Sequence, residues 1–426
     1  MRCLLFLVLV VPVVLGPLSC HADEAKAVGK IRFGSADWPW WRGPNRNGIA
    51  AADQTPPLEW SKSKNVVWKV YVPGRSHGSI TVVGEQVFLA AANEQADIQS
   101  VICFDRATGS RLWKTDVHRG GIERGGNKKA SQASTTVACD GERLFVNFLN
   151  DKAVYTTALS LEGKQLWRTK ITDYKVHQGY GSSPAVYGPL VIVSADNKGE
   201  GGGAIAGLDR ATGDVVWKHG RPQNPNYPSP IILPVCGRDQ LLFTGLDLVA
   251  SYDPLSGKKL WETKGATTEC VTSTVTDGQL IMTSGGYPRN HMAAIRADGS
   301  GEVVWENNVR VYVPSMLASD GYLHAVTDDG VARCFEMVTG KELWKGRLGG
   351  TFSSSPVMVG DKIFVTNEAG TTFIYKAQPT SFELLAKNEL PGEVLSTPTI
   401  CGSRIYMRVA EQQDSERQEM LYCLGQ

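Results

Sequence analysis

The sequence predicts an all-β fold: an eight-bladed β-propeller of four-stranded blades, with the last blade closed by an N-terminal strand. Three observations lead there. Tryptophan recurs at 68, 113, 167, 217, 261, 305 and 344, a period of roughly 40–50 residues. A common phrase precedes most copies, an acidic residue, then Thr-Gly or a near equivalent, then Trp. The two ends of the repeat region are complementary fragments of one blade.

The phrase reads Cys103-Phe104-Asp105-Arg106-Ala107-Thr108-Gly109 before Trp113, Leu208-Asp209-Arg210-Ala211-Thr212-Gly213 before Trp217, Tyr252-Asp253-Pro254-Leu255-Ser256-Gly257 before Trp261, and Phe335-Glu336-Met337-Val338-Thr339-Gly340 before Trp344. Looser copies end at Trp167 and Trp305, and a worn copy carries Leu385 in the tryptophan slot. The Asp-x-x-Thr-Gly segment reads as the hairpin turn between the last two strands of each unit, since Asp bonds a turn backbone and Gly accepts positive φ. In the third unit the strands are expected at 183–186, 190–195, 204–208 and 215–218. Trp68 sits in an outer strand, Val66–Tyr71, with no strands of its own before it. The chain ends in an inner strand, Leu421–Leu424, with no partner after it. Pairing the two completes a blade with 394–401 and 404–409 and removes the exposed edge.

Residues 1–22 read as a secretory signal: Arg2, an apolar run from Leu4 to Leu18, and small residues before a cut near Ala22. Acylation of Cys20 is a rival reading, although Pro17 stands where a lipobox wants an aliphatic residue. An uncleaved anchor is the third, although the run is short for a membrane span. Residues 23–59 form an N-terminal strap, and 60–426 form the propeller. Lys+Arg 44 against Asp+Glu 43 leaves no basic excess, which argues against a nucleic-acid partner. Beyond the signal lie seven cysteines, at 103, 139, 236, 270, 334, 401 and 423, with no Cys-x-x-Cys. An odd number leaves at least one thiol outside a disulfide. Cys103, Cys334 and Cys423 share one repeat slot, and Cys139, Cys236 and Cys401 another, so both sets read as buried packing. Cys270, after Glu269 at a loop, is the best candidate for a free thiol.

The recurring Ala-x-Asp-x-x-Thr-Gly-x-x-x-Trp phrase resembles the pyrroloquinoline-quinone (PQQ) repeat of quinoprotein alcohol dehydrogenases and of the propeller lipoprotein of the outer-membrane assembly machine. The resemblance covers about residues 60–426. Asp37-Trp38-Pro39-Trp40-Trp41-Arg42-Gly43-Pro44-Asn45 looks like the opening of secreted propellers of this type. The resemblance implies that Trp68, Trp113, Trp167, Trp217, Trp261, Trp305 and Trp344 are inter-blade packing. It implies a quinone only if a catalytic set accompanies the repeat. Neither the adjacent Cys-Cys nor the Glu/Asn/Asp calcium set of the dehydrogenases can be placed here. Repeat ancestry alone does not bring a bound cofactor.

Function in a propeller gathers at the loops ahead of the innermost strands, which begin at Ser182-Ser183-Pro184, Ser229-Pro230, Ser354-Ser355-Pro356 and Ser396-Thr397-Pro398. The candidate ligand-binding residues there are Arg75, His77, Arg124, Lys128, Lys129, Gln132, His177, Tyr180, Tyr227, Glu269, Tyr312 and Glu393. The loop from His118 to Ser134 is the longest and is basic, so it is expected to suit an anion such as PQQ, a tricarboxylate. Its plain alternative is a solvated loop. His77 and His177 lack metal-ligand spacing, and no metal site or catalytic residue is expected. The strap is expected on the surface or across one channel mouth. Two functions stand: a secreted or periplasmic non-catalytic scaffold binding a protein, peptide or glycan, or a reduced PQQ-dependent oxidoreductase. The expected state is a monomer, at a membrane only if Cys20 is lipidated.

Overall fold

A computed structural model describes residues 31–414 and 416–426. The signal segment 1–22, with Cys20 and Ala22, lies outside the described residues, as do 23–30. The described chain forms eight four-stranded antiparallel sheets and no helix. In sequence order the blades are 1 (81–119), 2 (138–173), 3 (185–221), 4 (231–264), 5 (275–307), 6 (317–347), 7 (357–389) and 8 (399–424 with 66–71). The first strands of neighbouring blades touch one another, so they circle the axis. They are short, three residues in Ala185–Tyr187 and in Thr399–Cys401. The expected first strand at 394–401 is therefore mostly the loop that leads into it.

Val66–Tyr71 pairs with Glu416–Leu424, as Lys69 opposite Tyr422 shows, and blade 8 is completed by the N-terminal strand. Core clusters lie between blades. One combines Phe88 and Cys103 of blade 1 with Leu144 and Val146 of blade 2.

The repeat phrase joins most blades to the next. In blade 1, Asp105 Oδ1 accepts the backbone N–H and the hydroxyl of Thr108 at 2.8 and 2.7 Å, and Gly109 N–H closes the turn on Asp105 O. Gly109 sits at φ 73°, and a Cβ there would lie 2.7 Å from the Trp68 ring, so both conformation and space demand glycine. Trp68 of blade 8 rests on this turn and donates its indole N–H to Arg106 O at 3.0 Å. The same bond runs from Trp113 to Leu161 O, Trp167 to Arg210 O, Trp305 to Met337 O and Trp344 to Gln378 O. At Trp261 it is relayed: the indole donates to Gln240 Oε1, and Gln240 Nε2 donates to Ala297 O of blade 5. Blade 7 corrects the sequence register. Ala386 faces Ile374 in the tryptophan slot, and Leu385 falls in the bulge beside it, where its side chain is exposed.

A second belt runs around the axis. Backbone N–H groups of Ser79, Thr136 and Ser183 donate to the hydroxyls of Thr136, Ser183 and Ser229, one blade on, at 2.9–3.0 Å. Ser273, Ser315 and Ser355 do the same to Ser315, Ser355 and Thr397. Ser183, Ser229, Ser355 and Thr397 belong to the Ser-Pro or Thr-Pro starts of the sequence, and Ser79, Thr136, Ser273 and Ser315 hold the same place without the proline.

The strap enters the channel from the end where the Asp-x-x-Thr-Gly turns lie. Trp38 pairs with Val82, Pro39 O accepts from Cys139 N–H, Ala50 N–H donates to Met358 O, and Thr55 N–H to Ser403 Oγ. Arg46 lies 4.3 Å over the Trp40 ring and donates to Val186 O. Trp41 donates to Ser273 Oγ at 2.8 Å, where the belt from blade 4 is broken. Arg42 is fully buried and donates to Asn47 O, Met316 O and Pro356 O. The strap thus bonds seven blades and packs against Ser229 and Pro230 of blade 4.

Candidate functional site: the loop mouth of the channel

The strap fills the turn end, so the accessible end is the mouth where one blade connects to the next. The sequence-derived residues gather there in two halves of different chemistry.

One half is ionic and internally paired. Lys129 reaches from the loop ahead of blade 2 to Glu368 of blade 7, with Nζ 2.6 Å from Oε2, and so crosses the mouth. Glu368 also accepts Ser353 Oγ–H. Arg75 donates to Lys129 O at 3.1 Å, Asn127 N–H donates to Gln178 O, and Arg124 donates to Glu94 O at 2.8 Å. Gln132 O accepts from Gln99 Nε2, Glu393 pairs with Arg417, and Lys128 is exposed. The basic loop is therefore a strut with engaged cations, apart from Lys128. The channel behind it holds the protein's own Trp41 and Arg42. These residues make no cradle for a tricarboxylate. Among the described residues, no three His, Cys, Asp or Glu side chains form a group that could hold a metal ion.

His77 belongs to this half but is sequestered. Its Nε2 is buried without a hydrogen-bond partner, and burial next to Arg75, Arg408 and Arg417 lowers its pKa to about 3. Burial lowers His118 and His324 to about 4. Each resists protonation in the fold but not in the unfolded chain, where histidine titrates near about 6.5. Stability is therefore full above that value and falls as pH drops toward 4, by up to about 1.4 kcal/mol per pH unit for each histidine. Denaturant melts at pH 7, 6 and 5 should show the loss, and His324→Leu should reduce the slope by about one third.

The other half is aromatic and acidic. His177 sits between Lys198 Nζ, 2.9 Å from Nδ1, and Glu269 Oε1, 3.4 Å from Nε2. Tyr180 donates to Ser194 O and meets Tyr174 edge-on at 5.5 Å. The Tyr227 phenol lies near Glu269, Tyr174 and Tyr312, its hydroxyl is buried without a hydrogen-bond partner, and burial raises its pKa. Tyr312 carries Arg310 over its ring at 5.4 Å, and its N–H donates to Asp328.

The loops are fixed from behind. Arg221 Nε and Nη2 each donate to one oxygen of Asp196 at 2.9 Å. Asn226 donates to Asp196 and Thr244 O and accepts from Cys270 N–H, which places Tyr227 and Glu269 side by side. Cys270 itself is buried and its thiol pKa is raised by desolvation. Like the other described cysteines Cys270 is in no disulfide, while Cys236 is half-exposed at a positive-φ residue and packs on the edge of the first-strand cluster of blade 4. Cys103, Cys334 and Cys423 are buried against the tryptophan slots as expected. Sequence reasoning missed Asp196, Arg221 and Lys198, because their partners lie on other loops.

A ring in which the tryptophan of one blade rests on the turn of the next is a PQQ-repeat propeller, and sequence comparison agrees. The chain belongs to the family described as outer membrane protein assembly factor BamB, whose model matches residues 97–345, 289–378 and 328–416. It is 25% identical over 356 residues to BamB of Burkholderia pseudomallei, covering 80% of this chain and 84% of the relative. It is 24% identical over 325 residues to polyvinylalcohol dehydrogenase of Sphingopyxis sp., covering 70% of this chain and 43% of the relative. The chain thus spans under half the length of the dehydrogenase relatives it matches. The quinohemoprotein alcohol dehydrogenase of Comamonas testosteroni superposes with TM-score 0.66 at 14% identity, covering 94% of this chain and 84% of that one.

Proposed function

We propose that this chain is a non-catalytic binding propeller of the periplasm or cell exterior, and that a protein or peptide docks at its loop mouth. One observation carries the reading: the chain's own strap occupies the channel end opposite the loops, with Arg42 buried among backbone carbonyls. The BamB family supports it. Quinone-dependent oxidation is the second reading, favoured by the dehydrogenase relatives.

Thermal titration with PQQ and calcium, read beside dye-linked oxidation of alcohols and sugars, separates the two. The scaffold reading expects no shift and no turnover. Ligand at 100 times its Kd would add about 2.7 kcal/mol, and such a shift with turnover would replace the scaffold by an oxidoreductase. Mass spectrometry of the mature N-terminus tests the address. A start at Asp23 means a soluble protein, and an acylated Cys20 means a tethered one, for which a role in outer-membrane protein assembly fits.

A further inference from the structure

Four acidic residues are buried among the described residues: Asp140, Asp196, Glu269 and Glu419. Three of them face arginine. Asp140 meets Arg143 and Arg210, Asp196 meets Arg221, and Glu419 meets Arg408 and Arg417. Glu269 differs: its ion-pair contact is the His177 ring at 3.4 Å, and that ring turns its other nitrogen to the Lys198 ammonium at 2.9 Å. An ammonium can only donate, so Nδ1 accepts and His177 is the neutral tautomer with its proton on Nε2. Glu269 therefore meets an imidazole where the other three acids meet a guanidinium, with the Lys198 ammonium on the far nitrogen of that ring. A buried carboxylate without a direct cation is costly, and proteins pair such groups.

The position of this acid is held, not incidental. Glu269 N–H donates to Tyr287 O, Glu269 O accepts Thr267 Oγ1–H, and the next N–H is taken by Asn226. Tyr227 and Tyr312 lie beside it from the loops on either side. On the far side of Tyr312, Asp328 is bonded by the Tyr312 and Val313 N–H groups, with Arg310 3.9 Å away. Arg310 already lies over the Tyr312 ring, so this aromatic wall accepts a cation on one face. The side chain of Glu269 keeps 8% exposure, at the accessible mouth.

We infer that Glu269, walled by Tyr227 and Tyr312, is the receptor for a cationic side chain, lysine or arginine, presented by the docking protein. This rests on the scaffold reading and names the chemistry of its partner. The incoming cation supplies the guanidinium or ammonium partner that the other buried acids have within the fold, and lies against the phenol rings beside the His177 contact. Burial raises the pKa of Glu269 in the empty site, so acidification weakens the contact by removing the charge.

The test uses the whole mature protein and blocked pentapeptides, Gly-Gly-X-Gly-Gly, with X lysine, arginine, norleucine or glutamate, followed by NMR titration. Lysine and arginine peptides should bind at least about tenfold tighter than norleucine and glutamate. Glu269→Gln should abolish that preference, and Tyr312→Leu should weaken it. Glu389→Gln, at an exposed acid paired with Lys387, should leave it intact. The preference should weaken as pH falls through the raised pKa of Glu269 in the parent protein and be absent throughout in the Gln variant. Thermal melts of each variant confirm folding. No lysine preference in the parent, or a preference that survives Glu269→Gln, overturns the receptor. Either result without quinone turnover leaves the scaffold standing, whereas turnover removes the scaffold whatever the peptides do.

Discussion

Arg42→Met should destabilise the propeller by about 3–5 kcal/mol, the loss expected when several buried acceptors lose their donor together. The guanidinium serves Asn47 O, Met316 O and Pro356 O, and so ties the strap to blades 6 and 7 at the channel axis. Methionine replaces most of the volume without donating, so the measured loss belongs to the hydrogen bonds more than to a cavity. Burial disfavours the charge, which the three carbonyl dipoles offset. The readout is the midpoint of denaturant and thermal melts, with limited proteolysis of residues 31–60 as a second measure. A loss below about 1 kcal/mol would mean the strap is held by its tryptophans alone.

Arg221→Met should cost a similar amount, about 3–5 kcal/mol, by leaving Asp196 buried without its cation. The pair is two-pronged and almost dry, at 5% and 4% side-chain exposure, and the guanidinium also lies 5.1 Å from the Phe243 ring. Asp196→Leu combined with Arg221→Met should recover much of the loss, because an apolar pair has no stranded charge. A double-mutant cycle in denaturant melts decides this; strictly additive losses would show that the two side chains act independently. The single variant should also loosen Tyr227 and Glu269, since Asn226 ties their loops to Asp196.

The ring was legible in the sequence because its governing contact repeats. Each tryptophan needs the same turn in the next blade, so selection for packing leaves a period. The closure was legible for a related reason, since Val66–Tyr71 and the C-terminal strand are each half of a known unit. Leu385 misled because the slot depends on a backbone bulge that shifts the register by one residue. The Ser-Pro starts were visible, but their bonds to the next blade were not, since those partners lie 40 or more residues away. The strap was expected on the surface or across a mouth; its Trp and Arg side chains go deeper, into the channel. At the mouth, residue type found Glu269, His177, Tyr227 and Tyr312. That Glu269 lacks an arginine could emerge only from where every arginine ends up.

Blade 8 has a consequence in time. Its outer strand, Val66–Tyr71, is made long before its partner, Glu416–Leu424. Until then Trp68 can already rest on the turn of blade 1, but its backbone has no ladder to join. The chain is until then an open arc with an unsatisfied edge at each end, and it becomes a ring only when Glu416–Leu424 pairs with Val66–Tyr71.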